Sequence, residues 1–195
     1  GARGAIAAGD FASARAMLRT LRSAFPAAPL VADSFALETA AALAEDDPLR
    51  ARAFAARLAA RYPQSRPAFD AALAVADWYF DRSDRTGSLA YYLAAVAAHD
   101  GGADRAGLDR ALLHAAAVES WLGDDERQAR EHFRAVRPAA LAGNDVELYR
   151  SLRVRLAWER LDAGRLGLAD ANISALAVDG DDLWVGTWNG GAARW

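Results

Sequence analysis

Few residues of this chain could do chemistry, and their spacing argues against most of it. The three histidines, His99, His114 and His132, fall in different segments. None belongs to a His-x-x-x-His or Glu-x-x-His pair, the spacings that bring two ligands to one helical face around zinc. Asp179, Asp181 and Asp182 surround Gly180 as in a calcium loop. A glycine at the loop's sixth position and a glutamate at its twelfth are both missing, so a tight hairpin turn is the stronger expectation. Gly101-Gly102 and Gly190-Gly191 lie in neither Gly-x-x-x-x-Gly-Lys nor Gly-x-Gly-x-x-Gly, the patterns that cradle phosphate. Ser23, Ser34, Ser65 and Ser88 have no nucleophile-elbow context. Glu119 and Glu159 are single carboxylates on helices, expected to be solvated or paired with arginine. The absence of cysteine excludes disulfides, thiolate catalysis and cysteine-ligated metal. These residues predict no enzyme, no metal and no cofactor.

The composition agrees with a binding role. Of 195 residues, 53% are hydrophobic, and the net charge is −3. That balance suits a folded domain with a sizeable core and is too apolar for disorder. All 23 basic residues are arginine, spread along the helices among Asp and Glu. No broad basic field is left for nucleic acid or anionic lipid. No run approaches the roughly 20 apolar residues of a membrane span, so this segment is not expected to insert in a bilayer. The chain starts at Gly1. The expectation is that an upstream segment has been removed.

Punctuation by Pro, Gly and Asp divides the first 165 residues into paired helices. Gly9-Asp10-Phe11 leads to Ala14, Leu18, Leu21 and Pro26; Asp46-Asp47-Pro48 leads to Ala51, Ala55, Leu58 and Pro63. The two prolines stand 37 residues apart. A third copy is read through Ala90, Ala94 and Ala97 to Gly101-Gly102, with Ser88 as N-cap. A fourth follows Gly123-Asp124-Asp125 through Ala129, Phe133, Val136 and Pro138, with Asp124 as N-cap. A fifth offers only a first helix, closing at Gly164. Pro and Gly stop helices, Asp and Ser cap them, and a small residue at each crossing lets two helices approach. Phe69, Leu73, Ala76, Tyr79 and Phe80 keep one face, as do Leu108, Leu112, Ala115, Val118 and Leu122. Helices are predicted near 2–8, 11–24, 30–45, 48–61, 67–82, 87–98, 105–122, 125–136 and 145–163.

This pattern resembles the tetratricopeptide repeat, whose period is 34. The resemblance implies an all-α, right-handed solenoid of antiparallel hairpins that binds a protein or peptide on the concave surface made by each first helix. Carried over turn by turn, it directs Tyr79 and Arg82, His114 and Val118, and Val154 and Trp158 toward that groove, with Ala36, Ala40 and Leu43 in the second unit. A core role stands beside the groove role for Tyr79, Trp121 and Trp158. Phe25-Pro26 with Pro29, and Tyr62-Pro63-Gln64-Ser65, look like the junctions of outer-membrane assembly lipoproteins and of the periplasmic partner of the Tol–Pal system. That implies a periplasmic or envelope-associated protein, with the cytoplasm as the other possibility.

After Gly164 the helical period stops. Ile173, Leu176, Asp179, Leu183, Trp184, Gly186, Thr187, Gly190, Gly191 and Arg194 resemble a blade of the propellers in two-component-regulator sensor regions; Ala192 stands where that blade has Leu. The resemblance implies a solenoid over 1–165, a linker over 166–171 and, over 172–195, the opening strands of a propeller continuing beyond Trp195. The tail is then expected to dock on the helices or pair with another copy. The functional expectation is an interaction scaffold whose partner is a protein, a peptide or its own propeller. The alternatives are the ligand-sensing region of a receptor and the non-catalytic part of a propeller enzyme.

Overall fold

The computed structural model describes residues 1–99, 104–123, 126–157, 168, 172–179 and 182–194. It divides into a helical unit, Gly1–Leu156, and a second unit, Ala157–Trp195. The described helices are α1 (Ala2–Ala7), α2 (Phe11–Ala24), α3 (Leu30–Ala44), α4 (Pro48–Arg61), α5 (Arg66–Asp81), α6 (Arg85–Ala98), α7 (Arg105–Leu122), α8 (Glu126–Ala135) and α9 (Asn144–Ala157). A single 3₁₀ turn, Pro138–Ala140, lies between the last two. The predicted end of the ninth helix, 158–163, lies outside the described residues.

One local device starts α2, α4 and α6. Asp10, Asp47 and Asp84 are N-caps, and their carboxylates accept the backbone N–H of Ser13, Arg50 and Gly87 at 3.1, 3.0 and 2.9 Å. Each satisfies a donor that the first helical turn leaves without a partner. The residue before each cap is left-handed: Gly9 at φ 74°, Asp46 at φ 58° and Ser83 at φ 60°. The three-residue links 8–10, 45–47 and 82–84 cannot carry the chain back along a helix, so the packed helices they join run antiparallel.

The hairpins recur in register. Helices α2, α4 and α6 each have 14 residues and begin at Phe11, Pro48 and Arg85, steps of 37. Ala14, Ala51 and Ser88, at equivalent places, are all 0% exposed. Leu18, Ala55 and Tyr92 follow, also buried. The predicted phase of the third copy is therefore corrected by two residues: Ala90, Ala94 and Ala97 are exposed, and Ser88, Tyr92 and Ala95 are buried in their stead. Ser88 is not the cap. It lies inside α6, where its hydroxyl donates to the Arg85 carbonyl at 2.9 Å. Alanine occupies every face of this helix and carries no phase, whereas the Asp84 carboxylate sets the start.

The fourth hairpin keeps the face and shifts the count. Helix α7 has 18 residues and ends at Gly123, left-handed at φ 77°. Ala129 of α8, 0% exposed, sits 41 residues after Ser88. Two of the four extra residues lengthen the leading helix, 18 residues in α7 against 16 in α5, and the alanine face is kept. The predicted cap Asp124 lies outside the described residues.

Helix α3 packs on both α4 and α5, α5 on α6, α6 on α7, and α7 on α8. An alanine-rich core with Leu58, Phe69, Val75 and Tyr92 runs from α3 to α7. A second core gathers Leu112, Leu113, Ala129, Val136, Leu152 and Leu156.

The second unit holds an antiparallel meander of β1 (Ile173–Asp179), β2 (Asp182–Thr187) and β3 (Ala192–Arg194), in the order β1-β2-β3. Asp179 pairs with Asp182, so the predicted turn at 180–181 lies outside the described residues. Val185 is buried, while Ile173, Leu176, Trp184 and Trp188 are exposed. The Thr187 hydroxyl accepts the Gly190 N–H at 3.0 Å and closes the second turn.

Candidate functional site

The turn ends of the second and third hairpins carry a face of stacked aromatic and arginine side chains. Arg82 caps the end of α5. Its guanidinium lies 3.7 Å from the centre of the Trp78 ring, and its Nη2 pairs with Asp46 at 2.6 Å. Asp46 is the left-handed residue of the preceding link, so one exposed pair ties two successive turns together. Tyr79 meets Trp78 edge-on and stacks on Tyr91, with centroids 6.0 Å apart and an angle of 13°. Arg52 of α4 donates through Nε to the Tyr91 hydroxyl at 3.1 Å. Farther along, Arg85 lies over Trp121, whose ring stacks on Phe80. Rigid aromatic area with guanidinium groups laid across it is the surface chemistry enriched at protein interfaces.

Beside this face, five polar side chains close a ring inside the helical unit. The Tyr92 hydroxyl donates to Asp77 Oδ1 at 2.8 Å and lies 3.1 Å from His114 Nδ1. His114 Nε2 lies 2.8 Å from Asp145 Oδ1. Arg110 spans the two carboxylates, 3.1 Å from Asp77 and 3.6 Å from Asp145. Helices α5, α6, α7 and α9 each contribute. Burial pushes the Asp77 carboxyl above its usual range, opposed by the Arg110 charge and the Tyr92 hydrogen bond. Burial and the adjacent Asp77 push Tyr92 up strongly and hold it as a neutral phenol, a donor with no nucleophilic form near neutrality. Both ring nitrogens of His114 meet acceptor oxygens, and Phe80 packs edge-on against the imidazole at 4.6 Å. Tyr92 and His114 are buried and Arg110 is partly exposed at the edge, and the ring fastens four helices together.

Three more polar contacts tie α7 to α8 and the residues just after it. Asp109, 0% exposed, takes Arg105 at 2.8 and 3.1 Å and the Arg137 backbone N–H at 3.0 Å. Arg105 also donates to the Ala135 carbonyl at 2.7 Å. Glu119, expected to be solvated or paired with arginine, is instead buried and meets His132 Nδ1 at 2.9 Å. Glu159 lies outside the described residues.

The predicted groove residues separate. Tyr79 and Arg82 belong to the aromatic–arginine face. His114, 5% exposed, belongs to the polar ring, and Val118, 0% exposed, is core, so neither lines an open surface. The resemblance directed both toward a groove, but the longer α7 lies between α6, α8 and α9 and turns them inward. Val154 is 64% exposed on α9. Trp158 lies outside the described residues. Trp78, Arg52, Tyr91, Asp77 and Arg110 were not singled out from the sequence. An aromatic followed four residues later by arginine, as in Trp78 and Arg82, was the one signal that could have found part of the face. Among the described residues, no group of three or more His, Asp or Glu is placed to hold a metal ion, and no helix is long and apolar enough to cross a membrane. No protein-family model, curated protein or solved structure matches this chain.

Proposed function

We propose that this chain is a protein-binding scaffold: a right-handed, tetratricopeptide-like solenoid that holds a protein or peptide partner, followed by the opening strands of a propeller blade. The observation that carries this reading is the 37-residue recurrence of equal helices, each started by an aspartate cap after a left-handed residue. Units of this kind cannot bury an apolar face alone, and stacking them produces an extended surface suited to binding. The contact region is the aromatic–arginine face, with Trp78, Tyr79 and Arg82 as anchors. Partner helices or loops rich in acidic residues fit its exposed guanidinium groups. The meander over Ile173–Arg194, with its exposed Trp184 and Trp188, favours the propeller reading of the tail. The setting proposed is the periplasm or the cell envelope.

The test is affinity capture from a bacterial envelope extract, with wild type, Arg82→Ala and Tyr79→Ala as baits. Arg127→Ala on the exposed side of α8 and Trp158→Ala run alongside. A specific protein held by wild type and Arg127→Ala, and lost from the Arg82 and Tyr79 variants at unchanged melting temperature, supports the reading. Identical captures by all five baits would remove the face from the proposal.

A further inference from the structure

Arginine and acidic residues alternate along the chain, but folding sorts them by helix. Helices α2 and α4 hold three and four arginines and no Asp or Glu. Helices α3 and α5 hold two and three acidic residues, with Arg66 as their single arginine. Side-chain contacts place α2 and α4 on either side of α3. Arg15 pairs with Glu45, just past the end of α3, and Arg22 pairs with Glu38, nearer its start, at 2.9 Å. Arg50 reaches the same Glu45 at 3.9 Å, and Phe54 meets Phe35 with centroids 6.2 Å apart. Both helices therefore run antiparallel to α3 and parallel to each other, with a valley between them and α3 as its floor.

Arg15, Arg19 and Arg22 keep one stripe of α2, and Arg50, Phe54, Arg57 and Arg61 keep one stripe of α4, at helical steps of three and four. Ring contacts turn both stripes toward the valley. Arg22 lies 4.9 Å from the centre of the Phe35 ring, and Arg50 and Arg57 lie 6.0 and 5.7 Å from that of Phe54. Arg61 follows over Tyr62 at 5.7 Å. Only two carboxylates answer these guanidinium groups. Glu45 bridges Arg15 and Arg50 across the valley, and buried Glu38 takes Arg22. On the stripe of α3 between the two glutamates stand Ala41 and Ala42. Arg19, Arg57 and Arg61 are exposed, and no carboxylate among the described residues pairs with them.

We propose that the valley between α2 and α4 is a docking site for a short acidic segment of a partner protein. Its Asp or Glu carboxylates lie between Arg19 and Arg57 and beside Arg61, as Glu45 lies between Arg15 and Arg50. From Arg50 to Arg61 helix α4 advances about 17 Å, the length of about five extended residues. Guanidinium groups resting on Phe54 and Tyr62 keep their N–H edges free for paired bonds to carboxylate. The strip is narrow, and the acidic helices α3 and α5 pack on α4. A nucleic-acid backbone or an anionic bilayer spreads its charge more widely and would meet those acidic helices, whereas a single acidic run matches the strip. The inference does not rest on Tyr79 or Arg82, and different variants test the two surfaces.

The probe is hexaglutamate, titrated into the full chain at low salt and followed by NMR of the arginine Nε–H groups. Saturable shifts are expected at Arg19, Arg57 and Arg61. Arg57→Gln combined with Arg61→Gln should weaken binding at least about tenfold at unchanged melting temperature, since both side chains are exposed. Arg19→Gln should weaken it in the same direction. Arg127→Gln combined with Arg134→Gln, the same change of charge on the exposed side of α8, should leave the affinity as it is. Absence of saturable shifts overturns the proposal. So does an equal loss in the α8 pair, because net charge alone is then the attraction. An equal loss in Arg82→Ala also overturns it, by moving the peptide to the aromatic–arginine face. Displacement of hexaglutamate from the strip by lower concentrations of a thymidine oligonucleotide or of phosphatidylglycerol vesicles rejects an acidic protein segment as the occupant.

Discussion

In the second hairpin, α3 and α4 meet through Ala42, Ala51, Ala55 and Leu58, and no charged group enters the crossing from α4. In the fourth, α7 meets α8 and the residues just after it with buried Asp109 and Glu119, which take the Arg137 N–H and His132. Both crossings keep a 0% exposed alanine at the same place, Ala51 in one and Ala129 in the other. The shared alanine sets how near the helices come, and what surrounds it differs. Around Ala51 the contact is non-directional apolar burial, which tolerates any register that keeps the face inward. Around Ala129 it is a set of charge-assisted hydrogen bonds with fixed partners. The polar set lies where the repeat departs from 37 residues, so it fixes a register that alanine packing alone leaves loosely specified.

The comparison can be broken from either side. Leu58→Ala should cost the most, about 3–5 kcal/mol, because its neighbours are already alanines and cannot close the hole; urea unfolding of the whole chain measures it, and a loss below 1 kcal/mol would show the apolar crossing to be slack. Asp109→Ala should cost about 2–4 kcal/mol, less than a fully buried pair because Arg105 is one-third exposed. Hydrogen exchange should show that loss concentrated at 135–137. Tyr92→Phe removes one hydroxyl from the polar ring and leaves Asp77 and His114 each short of a partner, for about 1–3 kcal/mol. If it proves neutral, the ring is not what joins α6 to α7.

The turn residues come next. Gly123→Ala and Asp47→Ala should each cost about 1 kcal/mol, one through left-handed strain and the other through a lost cap. Thermal melts of the two variants and their combination should show additive losses, since the sites belong to different hairpins. The smallest effect is the pH dependence of Asp77. Its folded carboxyl titrates above the usual 3.8, so the folded state holds the proton more tightly than the unfolded chain. That contribution to stability is full below the unfolded value and is lost as pH rises through the folded one. Asp77→Asn should therefore gain on wild type as pH climbs from about 4 toward 7, read as a narrowing gap between urea midpoints. A gap that widens with pH would mean that the Arg110 attraction outweighs burial.

Much of the helical unit was legible from local signals. Asp10 and Asp47, each after a left-handed residue, act within three residues of themselves; Asp84 acts in the same way, but Ser88 was expected to be the cap there. The start of the third copy was missed because alanine at Ala90, Ala94 and Ala97 looks the same whether it faces in or out. The polar ring was not legible, since His114 finds Tyr92 across 22 residues and Asp145 across 31. Of the aromatic–arginine face, Tyr79 and Arg82 had been singled out as groove candidates and Trp78, Tyr91 and Arg52 had not, because Arg52 and Tyr91 meet only when α4 and α6 come side by side.

By itself the sequence determined that the chain is mostly helical, where α2 and α4 begin, that helices are joined by short links, and that the last residues change to strands. These depend on caps, prolines, left-handed residues and periodicity, all of which act over a few bonds. The tertiary structure alone decided which alanines face inward, that Glu119 pairs with His132, and that Val118 is core while Phe25 is exposed. Those outcomes depend on which helix lies across the gap, and a side chain's surroundings are set by partners far away along the chain.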